Sequence, residues 1–298
     1  MKNYTRTDLA SESVGAAELA EGELQKICRH ETLDGFEVTR VTVEEEAHST
    51  LLGKPRGNYV TVEFGKVAYL AEDERERLVL LLAREIRNMC RACCGTMPDR
   101  DFSVLVVGLG NEEITADAIG PRAARQLTAT RHLRHLDSKL YDTVGRCEIS
   151  VLFTGVLGQT GMEAVELVCG AVERVKPRLV LAVDALAARS VERLASTVQL
   201  CDSGIAPGSG VGNERGAISL ETVGVPVLAL GVPTVVDSST LVWDALAEAG
   251  IVEVSKTLER VLENGRSFFV TPKESDVITE HVAALLADAV DCAFCVEA

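Results

Sequence analysis

The stretch SVLVVGLGNEEITADAIGP, residues 103–121, decides the fold that the sequence predicts. Its apolar run, Val104–Val107, ends at a glycine, which is typical of a buried parallel strand. The turn that follows carries three carboxylates, the last of which is Asp117. Pro121 suits the first turn of a helix, where the missing N–H costs nothing. Because sites in open α/β sheets form beyond the carboxyl ends of such strands, we expect the chemistry of the chain here.

Apolar strand patterns alternate with helical patterns from residue 98 onward. The predicted strands are 104–108, 148–156, 178–184, 197–201 and 226–231. The predicted helices are 121–136, 161–175, 189–194, 241–249, 253–262 and 279–293. This order predicts an α/β fold with a doubly wound, mostly parallel sheet and helices on both faces.

The residues ahead of this core predict a smaller β element. Alternation over 36–43 and 59–64 indicates antiparallel strands with one solvated face, and 73–94 has the apolar spacing of an outer helix. The first fifteen or so residues are polar, and we expect an exposed tail. The chain would then form one compact unit, in which residues 9–97 pack on a core of residues 98–298.

Composition narrows the possible functions. The chain has 298 residues, 47% of them hydrophobic, and a formal net charge of -15. Such an acidic surface repels nucleic acid and anionic membranes, so we expect neither as a partner. The sequence has no apolar segment of membrane-spanning length and no signal-peptide pattern, which predicts a cytoplasmic protein.

The nine cysteines raise the possibility of a metal site. Cys90–Cys93 and Cys292–Cys295 have C-x-x-C spacing and together could supply four thiolates to zinc. Both pairs lie in helical patterns without a glycine-rich knuckle, so we favour free thiols. The pair His132 and His135 fits a solvated helix face better than a metal site. Cys147 and Cys201 lack a histidine partner in sequence and are weak nucleophile candidates.

The glycine-rich loop 205–213 lacks the Lys-Ser/Thr ending of a phosphate-binding loop. We expect it to line a substrate or to form a turn, and we expect no cofactor.

Two aspartates follow apolar runs at corresponding places. Asp117 lies after the first core strand, and Asp184 ends the run Leu179–Asp184. Two carboxylates at one sheet edge repel each other, so one can keep a proton while the other stays ionised. Such a pair can activate water and protonate a leaving group. An equal alternative is that each aspartate caps the helix that follows it.

Seven segments together identify a family. They are Arg6-Thr-Asp-Leu-Ala10, Val107-Gly-Leu-Gly-Asn111, Thr115-Ala-Asp-Ala-Ile-Gly-Pro121, Val183-Asp-Ala-Leu-Ala-Ala-Arg-Ser190, Asp202-Ser-Gly-Ile-Ala-Pro-Gly-Ser-Gly-Val-Gly-Asn213, Gly231-Val-Pro-Thr-Val-Val-Asp237 and Val270-Thr-Pro-Lys-Glu274. Over nearly its whole length the chain resembles the spore germination proteases, endopeptidases that degrade small acid-soluble spore proteins. Their core is similar to that of the hydrogenase maturation proteases.

The resemblance implies several further properties. It implies that Asp117 and Asp184 are catalytic and that the enzyme is a homotetramer of the spore core. The related hydrogenase proteases bind nickel with acidic and histidine residues, but the sequence has no matching histidine motif, so we expect no required metal. The resemblance also implies a zymogen that removes residues 1–8 as a propeptide by cleavage between Asp8 and Leu9. The segment around that bond resembles the family's substrate site, an acidic residue followed by an aliphatic one and alanine.

One segment departs from the family pattern. Between Leu262 and Phe268 the chain has five residues, where better-known members carry a long polar insertion. A function of that insertion in other family members therefore cannot be expected of this chain. The alternative function is that of a non-catalytic or nickel-binding relative of the hydrogenase maturation proteases, which would use the same acidic crevice.

Overall fold

The computed structural model describes residues 7–17, 19, 21–208, 216–251, 254–264 and 268–296. The strands are β1 Cys28–Leu33, β2 Phe36–Val43, β3 Gly57–Glu63, β4 Ser103–Leu109, β5 Glu148–Gly155, β6 Leu179–Ala188, β7 Thr197–Cys201, β8 Val227–Asp237 and β9 Phe269–Val270. They form one sheet in the order β1-β2-β3-β7-β8-β6-β4-β5, with β9 paired to β8.

The helices lie between and around these strands. They are α1 Ala10–Ala16, α2 Glu21–Ile27, α3 Glu46–Leu52, α4 Glu72–Cys94, α5 Ile119–Gln126, α6 Arg131–Leu136, α7 Ser138–Val144, α8 Leu157–Thr160, α9 Ala164–Val175, α10 Leu220–Val223, α11 Ser238–Glu248, α12 Lys256–Asn264 and α13 Ser275–Ala293. Short 3₁₀ turns occupy Val67–Tyr69, Thr115–Asp117 and Val191–Arg193. Among the described residues, no helix combines the length and apolar composition that crossing a membrane requires.

The α/β class is confirmed, but the sheet is more mixed than the sequence predicts. The strands β5, β4, β6 and β8 pair in parallel. The pairings β1·β2, β2·β3, β3·β7, β7·β8 and β8·β9 are antiparallel. The N-terminal strands are therefore not a separate element. They continue the core sheet through β7, which pairs with β3 on one side and with β8 on the other.

Helices cover both faces of the sheet. On one face, α4, α5 and α13 bury Leu81, Ile119 and Leu286 in the largest apolar cluster. On the other, α9 packs Val168 on β4 and β6, while α1 packs Val14 on β2 and β3. The chain passes from β4 to β5 on one side of β4 and then returns through α9 to β6 on the other side. The strand order therefore reverses between β4 and β6, which makes their carboxyl ends a topological switch point.

One predicted helix, 121–136, is two helices. Thr130 lies in the gap between α5 and α6, where its backbone N–H donates to the Ile149 carbonyl at 3.0 Å. Its hydroxyl donates to the Cys147 carbonyl at 2.6 Å and accepts from the Ile149 N–H. These bonds tie the chain to β5 and prevent one continuous helix. The predicted helix 189–194 is shorter than expected and is the 3₁₀ turn Val191–Arg193.

The expectation of an exposed tail is wrong for residues 7–17. Leu9 and Ala10 are completely buried, and α1 begins at Ala10. Leu9 packs against Leu186, Ala188 and Val236. The rest of the proposed propeptide, residues 1–6, lies outside the described residues. So do 209–213 of the glycine-rich loop, the start of the predicted helix at 253, and residues 265–267, where the family insertion is missing.

Candidate active site

The start of helix α5 is pressed against the carboxyl ends of β4 and β6. A Cβ placed on Gly120 would lie 2.3 Å from the carbonyl oxygens of both Leu109 and Val183. A Cβ on Gly108 would lie 2.6 Å from the Gly120 carbonyl oxygen. Only glycine fits such an approach of one backbone to another. The contact fixes the turn that carries Asp117 beside the strand that carries Asp184.

Asp117 closes the turn after β4. Its Oδ2 accepts a hydrogen bond from the Asn111 N–H at 2.7 Å. Gly110 has a φ of +113°, and a Cβ there would lie 2.1 Å from the Asp117 carbonyl oxygen, so the turn requires glycine. Thr234 of β8 donates to the Ala116 carbonyl at 2.6 Å and anchors the turn. Ala118, and not Asp117, is the N-cap of α5, so the capping alternative is wrong for Asp117.

Asp184 lies inside a strand, and not at its end as the sequence predicts. Strand β6 continues to Ala188, and Asp184 is 4% exposed. Its Oδ1 accepts from the N–H of Ala185 at 2.8 Å. The 3₁₀ turn that follows β6 is capped by Ser190, whose side chain accepts from the Glu192 N–H. The capping alternative is therefore wrong for Asp184 as well.

The two aspartates line the same cavity, of about 1040 Å³, at this edge of the sheet. The cavity also contains Asp8 from the N-terminal segment. The first part of the glycine-rich loop, residues 205–208, lines it too, which agrees with the expectation of a substrate-lining loop. The structure therefore brings Asp117, Asp184 and Asp8 to one place.

A polar row crosses the sheet on the face that carries Asp184. In register, Thr39 pairs with Thr61, Thr61 with Gln199, Gln199 with Gly231, and Gly231 with Asp184. Directly paired residues share a face of the sheet, so these side chains point to the same side. Gly231 adds no side chain to the row, and the Leu186 side chain occupies the space beside its Cα. Gln199 and Asp184 thus stand two strands apart, about 10 Å between Cα atoms.

The N-terminal segment lies across this face. The Asp8 N–H donates to the Ala187 carbonyl at 2.8 Å, and the Ala187 N–H donates to Asp8 Oδ2 at 2.8 Å. Gln199 contacts the segment on both sides of the Asp8–Leu9 bond. Its Nε2 donates to the Asp8 carbonyl at 3.0 Å, and its Oε1 accepts from the Ala10 N–H at 2.7 Å.

Two further contacts hold this segment. The Lys54 Nζ donates to the Thr7 carbonyl at 2.7 Å. Burial lowers the pKa of Lys54, while the nearby Asp8 carboxylate opposes that shift. Glu12 accepts from the backbone N–H groups of Arg189 and Ser190, at 2.7 and 3.0 Å. The segment is thus bound by side chains and backbone groups from α3–β3, β6 and β7.

Gln199 and Lys54 do not stand out in the sequence. Gln199 is one polar residue within a short apolar strand, and Lys54 follows a glycine in a loop between α3 and β3. Neither position belongs to a recognisable motif. The only local signal is that β7 breaks its apolar pattern with a residue that proves to be 5% exposed.

The other candidate residues lie elsewhere or are unsuited to catalysis. Glu112, which shares the turn with Asp117, forms an exposed ion pair with Arg125 at 2.5 Å. Burial raises the pKa of Cys147 to about 12 and also raises that of Cys201, which disfavours the reactive thiolate form of both. The nine cysteines are free thiols. Within the described ranges, no three His, Cys, Asp or Glu side chains are grouped so as to hold a metal ion.

Comparison with known proteins identifies the family. The profile of the germination protease family matches residues 6–249. The chain belongs to the germination protease family.

Individual members support this assignment. The germination protease of Caldanaerobacter subterraneus subsp. tengcongensis is 38% identical, over 97% of this chain and 93% of the relative. That of Priestia megaterium is 40% identical over 74% of this chain, and that of Bacillus cereus is 39% identical over 82%. Those two matches span 58% and 66% of the relatives. The protease is accordingly a peptide hydrolase, an endopeptidase of spore germination.

Proposed function

We propose that this germination protease starts the degradation of small acid-soluble spore proteins, using Asp117 and Asp184 to activate water. It is made as a zymogen, removes its own residues 1–8, and acts as a homotetramer in the cytoplasm of the spore core. The family assignment supports the substrate and the location, and the resemblance of Thr7–Glu12 to a substrate site supports self-processing. Neither nucleic acid nor a membrane is a direct partner.

One observation carries the proposal. Asp117, Asp184 and the Asp8 side of the bond between Asp8 and Leu9 all belong to one cavity. Neither aspartate is the N-cap residue of the helix or turn that follows it, since those positions are Ala118 and Ser190. A segment that resembles the substrate site therefore lies in the same cavity as the two carboxylates that we propose as catalytic.

The proposed reaction consumes one water molecule. The ionised carboxylate of the pair takes a proton from water as the water oxygen attacks the Asp8 carbonyl carbon. The protonated carboxyl then delivers its proton to the Leu9 nitrogen, and the C–N bond breaks. The first products are an α-carboxylic acid on Asp8 and an amine on Leu9, and the acid then gives its proton to the amine to form the carboxylate and the ammonium group. The two aspartates have exchanged protonation states and must exchange a proton before the next turnover.

The contacts of the segment also suggest which sequences the cavity accepts. Leu9 occupies an apolar site formed by Leu186, Ala188 and Val236, which fits an aliphatic residue after the cut bond. The Asp8 carboxylate accepts from the Ala187 N–H, which fits an acidic residue before it. Ala10 is completely buried, which fits a small residue at the second position after the cut bond. Tethering gives this segment a high effective concentration, so it is cut before any free substrate.

Self-cleavage of the purified full-length chain tests the proposal. Intact-mass and N-terminal mass spectrometry over time should show a new N-terminus at Leu9. Asp117→Asn and Asp184→Asn should each slow its appearance by about 10²–10⁴-fold, because each removes one proton-transfer group. Glu112→Gln is the matched control, since it removes a carboxylate from the same turn but one that is paired on the surface.

Three outcomes would contradict the proposal. A Leu9 N-terminus formed at the wild-type rate by Asp184→Asn would exclude the aspartate pair. Loss of cleavage with excess chelator, restored by added metal, would replace it with a metal mechanism. Failure of the processed enzyme to cut a purified small acid-soluble spore protein would exclude the substrate.

A further inference from the structure

Gln199 holds two backbone groups that flank the bond between Asp8 and Leu9. The distances are 3.0 Å from Nε2 to the Asp8 carbonyl oxygen and 2.7 Å from the Ala10 nitrogen to Oε1. A carbonyl can only accept and a backbone N–H can only donate, so these partners fix which end of the amide faces which group. We infer that Gln199 is a further catalytic residue, whose side-chain N–H donates to the carbonyl oxygen of the bond that is cut.

The inference rests on the proposed cleavage site and adds a role that the aspartate pair does not fill. When water attacks the Asp8 carbonyl carbon, negative charge develops on the carbonyl oxygen. A preorganised N–H donor aimed at that oxygen stabilises the charge, and removing one such donor from a hydrolase costs about 10²–10³-fold in rate. Asp117 and Asp184 transfer protons, whereas Gln199 stabilises the oxyanion.

The surroundings of Gln199 keep its amide in place. The residue is 5% exposed and lies in the middle of β7, between Thr61 of β3 and Gly231 of β8. A buried amide without partners is costly, so the position favours an occupied state. Both groups that it contacts are backbone groups, which every peptide offers. The Gln199 side chain can therefore form the same two hydrogen bonds with a protein substrate after the tail has been cut.

The polar row across the sheet places Gln199 and Asp184 relative to each other. Asp184 and Gln199 are the register neighbours of Gly231 on its two sides, and their side chains share a face. A peptide carbonyl held by Gln199 thus lies on the face that carries the Asp184 carboxylate, and Asp8 and both side chains line one cavity. A carboxylate on one side of the carbonyl and an amide donor on the other can act on it together.

Gln199→Glu separates the two contacts of the side chain. The substitution keeps the shape and the oxygen that accepts from Ala10, but at neutral pH it removes the donor to the Asp8 carbonyl. We expect first-order self-cleavage to slow by about 10²–10³-fold. Thr61→Val is the matched control, because it changes the next buried side chain of the row. The Thr61 hydroxyl has no hydrogen-bond partner among the described residues.

Two readouts distinguish catalysis from structure. Hydrogen exchange over residues 9–14, measured in the uncut Asp184→Asn chain with and without Gln199→Glu, should stay slow, because the tail remains seated. The rate of Gln199→Glu relative to wild type should recover as the pH falls below neutrality, because the introduced carboxyl then gains a proton and can donate again; burial and the nearby Asp8 and Asp184 raise the pKa of a carboxyl at this position. Gln199→Met has no such proton, so its rate should show no recovery with acid.

Several results would overturn the inference. Unchanged self-cleavage in Gln199→Glu would do so, as would equal loss in Thr61→Val. Fast exchange over residues 9–14 in the variant would mean that Gln199 only seats the tail. If wild type cuts a spore protein but never between Asp8 and Leu9, then the cleavage site and this role fail while the protease function stands. If Gln199→Glu melts far below wild type, self-cleavage is measured in Gln199→Met instead. A wild-type rate in Gln199→Met would refute the catalytic role of Gln199.

Discussion

Replacing Gly120 by alanine should disable the site by steric displacement. The new Cβ would lie 2.3 Å from two carbonyl oxygens, on β4 and on β6, where an ordinary contact is at least 3.4 Å. The backbone atoms of the two strands cannot move aside as a flexible side chain could. Helix α5 must therefore shift away from the sheet by about 1 Å. Overpacking of this kind costs about 1–3 kcal/mol.

The shift of α5 should also move Asp117 relative to Asp184. Asp117 ends the turn immediately before α5, and a displacement of about 1 Å in an active site can cost about 10²-fold in rate. We therefore expect self-cleavage of Gly120→Ala to slow by at least about 10²-fold. The melting temperature should fall by roughly 5 °C for a chain of this size.

The control is Gly170→Ala, in helix α9. A Cβ at Gly170 meets nothing within 4 Å, and the glycine lies in a helix interior. There, alanine should stabilise the protein by about 0.5–1 kcal/mol and leave self-cleavage unchanged. Circular dichroism melts and the N-terminal mass assay measure both variants.

Two results would contradict this role of Gly120. Wild-type melting of Gly120→Ala would mean that α5 does not press on the strand ends as described. A lowered melting temperature with an unchanged cleavage rate would mean that this contact does not position Asp117.

Two other substitutions test the N-terminal segment and the sheet. Glu12→Gln replaces the carboxylate that accepts from two backbone N–H groups by a neutral amide, so self-cleavage should slow by up to about 10-fold, whereas the exposed Glu23→Gln should have no effect. A wild-type rate in Glu12→Gln would show that this contact does not seat the tail. Arg40→Met leaves the Glu85 carboxylate, which is 2% exposed, without its ion-pair partner at 2.7 Å. Chemical denaturation should show a loss of about 3 kcal/mol, and a loss below about 1 kcal/mol would mean that water solvates Glu85 instead.

Local sequence patterns were enough to predict most helices and strands and one residue of the site. Strands β2 and β7 have the predicted bounds, 36–43 from alternation and 197–201 from an apolar run. Helices α4 and α13 follow from apolar spacing, since each buries one face on the sheet. The glycine turn after β4 also pointed to Asp117. These features depend on residues close together in the chain, so a pattern within a short window is enough to reveal them.

Strand direction and sheet continuity depended on the tertiary structure. Strand β7 reads like any short buried strand, yet it pairs antiparallel with both β3 and β8 and joins the N-terminal strands to the core. A buried strand has the same apolar pattern whichever way it runs, because its two faces are covered in either case. The division into a parallel core and a separate β element therefore could not be corrected from sequence.

The burial of the tail was likewise decided only by the tertiary structure. Leu9 is one apolar residue among polar neighbours, and sequence predicts its exposure. In the fold it fills a site made by β6 and β8. Gln199 is the clearest case, since it reaches Asp8 across 191 residues of sequence. One amide in an apolar strand gives no local signal of what it binds, because its partners are backbone groups that only the folded chain brings within 3.0 Å.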